Sequence, residues 1–391
     1  MSGIAIVEAR RTPFGKFGGK LSELSAVELG GIAARAVLDK AGVEPDTVEE
    51  TIFGTAILSA STMVAARQIN LMIGLPEHTP SLTIDRACCS SMTCVGLAMM
   101  KIQAGLANTV LAGGIESSSR TPFMMKGVRW GRRLGDFTVE DPMQFRNPIT
   151  NKPLTVVTGE MAMKQGVGRE EQDEWAYRSH MKYFEAYDRG VYRDEIVPVE
   201  ADDDTLDIDE SPRRNISLEK MKSLPTVHSG PTVTSGNAPG LNDGASAVLL
   251  MAGQEAKRRG VAVMAEILAY SQLAGSLESS VYMPGHAIAD ALRKANLTLD
   301  HVKRIEINEA FAAMPLVSLS ALAEGDAAKA EKLKAITNVN GGAVAIGHPP
   351  GASGTRVLMA LVRELQRTGG GYGAAAICGG FGQADAVVVK V

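Results

Sequence analysis

Lys40-Ala41-Gly42-Val43-Glu44-Pro45-Asp46-Thr47-Val48 and Lys294-Ala295-Asn296-Leu297-Thr298-Leu299-Asp300-His301-Val302 align without a gap, at a constant offset of 254 positions (294 − 40, and 300 − 46). A helical Ala/Leu pattern precedes each copy, at Ala34 to Leu38 and at Ile288 to Leu292. A short strand-like run follows each, ending near Gly54 and near Asn308. A second correspondence lies further along. Met92, Val95, Met99 and Ile102 carry helical spacing after Cys88, and Thr109-Val110-Leu111-Ala112-Gly113-Gly114 reads as strand plus turn. Near the end, Val357, Leu358, Leu361, Val362 and Leu365 mark a helix leading into Ala374-Ala375-Ala376-Ile377-Cys378-Gly379-Gly380. Turn, helix, glycine, strand and Gly-Gly occur in that order twice, which predicts two similar α/β halves.

Composition supports layers. The 391 residues are 45% hydrophobic, with 41 glycines and only 5% aromatics. Small residues let helices and strands approach closely, which suits a layered α/β protein better than a β-sandwich. Ile4-Ala5-Ile6-Val7 reads as a first strand rather than part of a signal peptide, and Val387-Val388-Val389-Lys390-Val391 as a last strand with no peroxisomal tripeptide. Between about 119 and 245 the chain is richer in charge, proline and long side chains, and reads as an inserted loop domain. The expected organisation is a first half over 1–118, a loop domain over 119–245 whose end rejoins the first half up to about 265, and a second half over 266–391.

The formal net charge is −4, without a long block of like charge, which argues against nucleic acid as the main partner. Asp202-Asp203-Asp204 reads as a solvated loop, not a metal site. The four cysteines, Cys88, Cys89, Cys94 and Cys378, show no zinc-type spacing and fit a reducing compartment, with the cytoplasm as the default. No apolar run is long enough to span a membrane. No glycine-rich nucleotide loop follows a strand, and no G-x-S-x-G is present, so nicotinamide, ATP and serine-hydrolase chemistry lack support.

Three residues carry the expected chemistry. Cys88, in Asp85-Arg86-Ala87-Cys88-Cys89-Ser90-Ser91, precedes a helix, whose positive end favours thiolate and whose free N–H groups can hold an oxyanion. His348, in Gly347-His348-Pro349-Pro350-Gly351, sits in a stiff loop. Cys378 ends a strand before Gly379-Gly380. Two thiols and an imidazole in such turns suggest acyl transfer through a thioester. Cys89 and Cys94 read as buried apolar side chains. His78, His180, His228, His286 and His301 lack comparable settings, His286 being expected to cap a helix. Asn308 could hold a water or a carbonyl, or make an Asx turn.

Together these pieces resemble the thiolase family. The similarity runs from Ile4-Ala5-Ile6-Val7-Glu8-Ala9-Arg10-Arg11-Thr12-Pro13 to the last strand, through Gly113-Gly114-Ile115-Glu116-Ser117, Thr234-Ser235-Gly236-Asn237-Ala238, Leu241-Asn242-Asp243-Gly244-Ala245, Asn308-Glu309-Ala310-Phe311, the His348 loop and the Cys378 turn. The resemblance implies a duplicated five-layered α-β-α-β-α fold with an inserted loop domain. It implies that Cys88 becomes acylated, that His348 takes its proton, and that Cys378 is the acid/base for the carbon of acetyl-CoA. It further implies that Asn308 holds a water in one oxyanion hole and that the N–H groups of Cys88 and Gly380 form the other. Arg213, Val227, Ala238, Pro239, Gly240, Met283 and Phe311 match positions that contact CoA or wall the pocket. Coenzyme A is implied as co-substrate, with no permanently bound cofactor or metal, and the assembly as a homodimer or homotetramer.

The chain departs from the family pattern at several places. Pro239 stands where a CoA-contacting serine is usual, Val227 where an aromatic is common, and Leu154-Thr155-Val156 where His-Met-Gly is usual. Phe381 replaces a glycine, Pro350 an Ile or Leu, Asp85 an Asn, and Ser91 a Gly. Two other readings are a decarboxylating condensing enzyme, against which Cys378 argues, and a silent acyl-CoA binder, which would be expected to lack Cys88 or His348.

Overall fold

The computed structural model describes residues 3–58, 63–147, 149–201 and 204–391. The first half runs β1 (Ile4–Arg11), α1 (Ala26–Ala41), β2 (Glu50–Gly54), α2 (Ala65–Met72), β3 (Ser81–Ile84), α3 (Ser90–Gln103) and β4 (Thr109–Ser117). The chain then leaves the sheet for an excursion containing α4 (Leu154–Lys164) and α5 (Arg169–Asp188), and returns as β5 (Asn242–Ala252). The second half runs β6 (Ala265–Ala274), α6 (Met283–Lys294), β7 (Val302–Ile307), α7 (Ala313–Leu322), α8 (Pro350–Arg367), β8 (Tyr372–Cys378) and β9 (Gln383–Lys390).

The two sheets repeat one order. In the first half it is β3-β2-β4-β5-β1, and in the second β7-β8-β9-β6. In each, one strand runs against the others: β5 pairs antiparallel with β4 and β1, and β9 with β8 and β6. The sheets join where Ile4–Ile6 of β1 pair antiparallel with residues 265–267 of β6. The counterpart of β3 is reduced in the second half to one parallel bridge between Ile305 and Thr337. There the Asn338 side chain replaces the missing ladder, its amide accepting from Ile307 N and donating to Ile307 O, each at 2.9 Å. The excursion occupies the β4–β5 connection. Its equivalent, β8–β9, is only the tight turn after Cys378.

The duplicated stretch folds the same way in both copies. α1 and α6 end just before a residue in left-handed conformation, Gly42 (φ 62°) and Asn296 (φ 55°). Glycine and asparagine are the residues that tolerate this helix-ending geometry, which is why they interchange here. A single 3₁₀ turn follows in each, Pro45–Thr47 and Leu299–His301, before the strand.

Strand alternation fills three apolar layers. Along β1, Ile4 and Ile6 face the layer between the sheets, while Ala5 and Val7 face α1. Along β8, Ala375 and Ile377 face inward, while Ala374, Ala376 and Cys378 face the outer helices. α3 and α8 pack against each other between the sheets, α1 and α2 cover the first sheet, and α6 and α7 cover the second. This is the expected five-layered α-β-α-β-α arrangement.

The excursion is tied down by buried charge. Arg11 makes a two-pronged pair with Asp209 at 2.6 and 2.9 Å, with Glu195 at 3.5 Å, and its guanidinium lies over the Phe14 ring. Of the acidic run, Asp202 and Asp203 lie outside the described residues, while Asp204 is exposed and pairs with Lys20. His286 is not the cap: it lies inside α6, exposed, with its ring against Tyr282, because the helix begins at Met283, four residues earlier than that reading requires. Among the described residues no helix is long and apolar enough to cross a membrane.

Candidate active site

α3 and α8 are equivalent helices of the two halves, and each begins beside a reactive side chain. Cys88 lies two residues before α3, and His348 two before α8. Their N-termini meet, so Cys88 Sγ stands 3.3 Å from His348 Nε2 across 260 residues of sequence. Ala87, immediately before the nucleophile candidate, is left-handed (φ 49°), and this bend turns Cys88 out of the strand–helix junction. Arg86 anchors the bend to the other half. Its guanidinium pairs with Asp385 and donates to Gln383 Oε1 at 3.0 Å, both on β9.

Asn242 holds the His348 backbone and Ser353 holds its imidazole. His348 N–H donates to Asn242 Oδ1 at 2.8 Å, and the Asn242 amide donates in turn to Gly15 O and Ser211 Oγ. A side chain at Gly347 (φ 114°) would stand 2.7 Å from that amide, so only glycine fits. Ser353 Oγ lies 2.7 Å from His348 Nδ1 and donates its own hydrogen to Pro349 O at 2.8 Å. A hydroxyl has one hydrogen, so the serine accepts from Nδ1. The proton is therefore on Nδ1, and Nε2 faces the thiol with a free lone pair. Burial, with the Arg356 cation nearby, pushes the His348 pKa down to about 3, keeping the ring neutral.

Asn308 follows β7. Its Oδ1 accepts from Arg356 Nη2 at 3.0 Å, and a guanidinium can only donate, which fixes the amide orientation. Nδ2, the donor, is therefore the atom turned toward His348, 3.5 Å from Nδ1. Neighbouring Glu309 is buried and accepts four hydrogen bonds, from Trp175 Nε1, Ser179 Oγ, Asn338 Nδ2 and Val344 N. It locks α5 of the excursion onto the second half.

Cys378, at the end of β8, lines one apolar cavity together with Cys88, Gly380, Phe381 and Phe311. The Gly380 N–H faces the Cys378 sulfur and lowers its pKa against a larger upward push from burial, leaving it at about 11. Cys88 is the one cysteine that is not buried. The expectation that the helix end favours its thiolate does not hold in this structure. Although the residue keeps some exposure, withdrawal of its sulfur from water is the largest effect, Cys378 and Glu116 add to it, and together they exceed the downward pull of the Cys88 backbone N–H, so the thiol pKa lies well above its ordinary value. The resting pair is thiol and neutral imidazole. Cys89 and Cys94 are buried; Cys89 Sγ lies 3.4 Å from Ile377 O, packing the two halves together.

A second region collects several of the proposed CoA contacts. Arg213, Ala238 and Gly240 line a cavity of about 230 Å³, and Arg213 also borders an adjoining groove of about 450 Å³. His180, whose sequence setting gave no signal, lines the same cavity and accepts from Arg213 N at 3.2 Å. Val227 opens a 3₁₀ turn whose His228 Nδ1 lies 3.0 Å from Thr155 Oγ1 on α4. Pro239 lies between two cavity-lining residues without bordering the cavity itself. Met283 is packed into the core beneath α6, whereas Phe311 lines the cavity beside the thiols. The sequence reading gave Ser353, Arg356 and Asn242 no role. Asn242 stood inside a quoted motif, but an isolated serine or arginine in a helix carries no signal of what it will touch.

Residues 4–254 match the family described as "Thiolase, N-terminal domain" and residues 261–391 "Thiolase, C-terminal domain". The chain is 39% identical to the acetyl-CoA acetyltransferase of Yarrowia lipolytica, covering 98% of this chain and 96% of that protein. It is 36% identical to the mitochondrial 3-ketoacyl-CoA thiolase of Homo sapiens, covering 100% and 98%. The crystal structure of that human enzyme in complex with CoA superposes with a TM-score of 0.95 over the same shares of the two chains. The Bacillus anthracis acetyl-CoA acetyltransferase, 34% identical, superposes at 0.94 over 100% of this chain and 99% of that one.

Proposed function

Because this chain belongs to the thiolase family, we propose that it is an acyltransferase that cleaves 3-ketoacyl-CoA with coenzyme A, or runs the reverse condensation, through an acyl group on Cys88. The observation that carries the assignment of residues is the 3.3 Å contact between Cys88 Sγ and the unprotonated Nε2 of His348, beside a second thiol in the same cavity.

The chemistry follows from that contact. The Cys88 proton passes to His348 Nε2 as Sγ attacks the 3-keto carbon. With the thiol pKa high and the imidazole pKa low, the transfer occurs during attack, when developing charge on the carbonyl oxygen draws it forward. Asn308 Nδ2, directly or through a water, and the N–H groups of Cys88 and Gly380 are the donors for the oxyanions. As the tetrahedral adduct collapses, the bond between C2 and C3 breaks and its electron pair remains on C2 of the departing acetyl-CoA. Cys378 gives C2 its proton and becomes thiolate. That thiolate takes the proton of incoming CoA, whose sulfur attacks the acyl-Cys88 carbonyl; the shortened acyl-CoA is released as Cys88 Sγ leaves and takes back the proton held on His348 Nε2. A thioester is exchanged for a thioester, so the acyl transfer is close to isoenergetic.

Incubation with acetyl-CoA and intact mass measurement test the assignment. An acetyl adduct mapping to Cys88, absent from Cys88→Ser, is expected; undiminished labelling of the variant refutes it. The same reading includes no permanently bound cofactor, a homodimer or homotetramer, and a reducing compartment such as the cytoplasm. The four free cysteines support the last of these, and light scattering tests the assembly.

A further inference from the structure

The turn after Cys378 contains a conformational anomaly. Gly380 (φ 63°), Phe381 (φ 50°) and Gly382 (φ 80°) are all left-handed, yet the middle residue carries a benzyl group. Left-handed backbone costs an ordinary L-residue about 1–2 kcal/mol. Such strain persists only where the surroundings dictate it, and it concentrates at functional sites. Here the surroundings do dictate it. Gly379 N–H donates to Gln383 O at 2.8 Å, and Gln383 N–H to Gly380 O at 3.0 Å. Gly382 N–H donates to Ser280 Oγ at 2.8 Å, and Gly275 N–H to Gly382 O at 2.8 Å. A Cβ on Gly382 would stand 2.1 Å from Ser276 O, so the turn is seated directly on the 275–281 segment. The backbone leaves Phe381 little freedom, and its side chain lines the cavity that contains both reactive thiols.

Leu154, Val157 and Met161 of α4, Val281 and Phe311 give the cavity a largely apolar wall, interrupted by polar residues such as Thr158 and Glu278. The space left is about 60 Å³, well under the roughly 150 Å³ of an apolar cavity that takes up benzene. An acetyl-sized group fits such a space; a long alkyl chain does not. We propose that Phe381 is a specificity-determining residue that restricts the acyl group carried on Cys88 to short chains, acetyl to butanoyl in size. This rests on the reading of Cys88 as the acyl carrier. The strained backbone has a use in this account: it is the conformation that sets a large residue at the end of a tight glycine turn, in the wall of the cavity that Cys88 also lines.

The test is Phe381→Gly. Glycine takes the observed φ without strain, so the turn keeps its backbone while the ring is lost. Thiolysis of 3-ketobutanoyl-, 3-ketooctanoyl- and 3-ketohexadecanoyl-CoA gives a kcat/KM profile, and intact mass gives Cys88 occupancy with the matching acyl-CoAs. The wild type is expected to favour the short substrate. The variant is expected to raise the long-to-short ratio by roughly 10-fold or more, the discrimination that one or two methylenes command in an apolar pocket. A ratio within about twofold of wild type, or a wild type that already takes the sixteen-carbon substrate as well as the shortest, overturns the proposal. If the variant loses thiolysis altogether, the mass measurement decides: new hexadecanoyl occupancy of Cys88 supports the proposal, and acetyl occupancy alone overturns it. A wild type that forms no adduct at Cys88 with any acyl-CoA removes the carrier reading itself, and this proposal with it.

Discussion

Replacing Ser353 by alanine tests the proton arrangement directly. Among the described residues, Ser353 Oγ is the one hydrogen-bond acceptor at His348 Nδ1, at 2.7 Å, and both residues are buried. The other neighbour within reach, Asn308 Nδ2, is itself a donor and offers no replacement. Without the hydroxyl, the buried Nδ1–H is left unsatisfied, at a cost of about 1–3 kcal/mol. The ring can avoid that cost by moving its proton to Nε2, where it faces Cys88 and can no longer accept. A bias of this size lowers the competent tautomer, and with it the acylation rate, by roughly 5- to 150-fold. The assay is single-turnover acylation of Cys88 by acetyl-CoA, followed by quench and intact mass, well below the variant's melting temperature. Denaturant unfolding in parallel reports how much stability the same deletion removes. The later steps, which depend on Cys378, should fall no further than acylation does. An acylation rate within about twofold of wild type in a folded variant refutes the claim that Ser353 sets the tautomer.

Cys378→Ala should still form acetyl-Cys88 from acetyl-CoA, but should lose carbon–carbon cleavage by at least a hundredfold, read as thiolysis of 3-ketobutanoyl-CoA; full thiolysis removes Cys378 from the mechanism. Iodoacetamide should label Cys88 before the other three cysteines, because it alone is not buried; peptide mapping that finds Cys94 first counts against the site. Asp209→Ala leaves the fully buried Arg11 guanidinium with the longer Glu195 contact as its one ion pair among the described residues, besides a bond to Thr12 O, and should cost about 3–5 kcal/mol of unfolding free energy, measured in urea. Glu116 is buried, and its carboxyl is pushed up to about 7 by desolvation. A folded pKa above the unfolded one means this contribution to stability is complete below about 4.5 and is lost as pH rises through 7. Glu116→Gln, whose amide oxygen can keep the bonds from Gly351 and Ala56 N–H, should flatten the fall in stability between about pH 4.5 and 7 by up to one proton's slope. An unchanged slope rejects that account.

Much of this architecture was open to reading from local pattern. The 254-residue echo, with Gly42 and Asn296 in equivalent left-handed positions, is written in residues that act within a few positions of themselves. The same holds for the apolar alternation of β1 and β8 and the helical spacing after Cys88 and before Cys378. Local steric rules and burial periodicity act at that range, so the sequence determined the two α/β halves, the excursion between them, and the small set of residues able to carry acyl chemistry. Three-dimensional convergence decided the rest. The Cys88–His348 contact spans 260 residues, Asn242 reaches the His348 loop from β5 and Arg356 reaches Asn308 from α8, and only Ser353 acts within a few positions of its partner. The protonation of Cys88 shows the difference most clearly. A helix end favours thiolate, but that effect is a local dipole, whereas the opposing loss of water is produced by everything packed around the sulfur. Desolvation depends on the whole surroundings in space, and no neighbouring stretch of sequence encodes it.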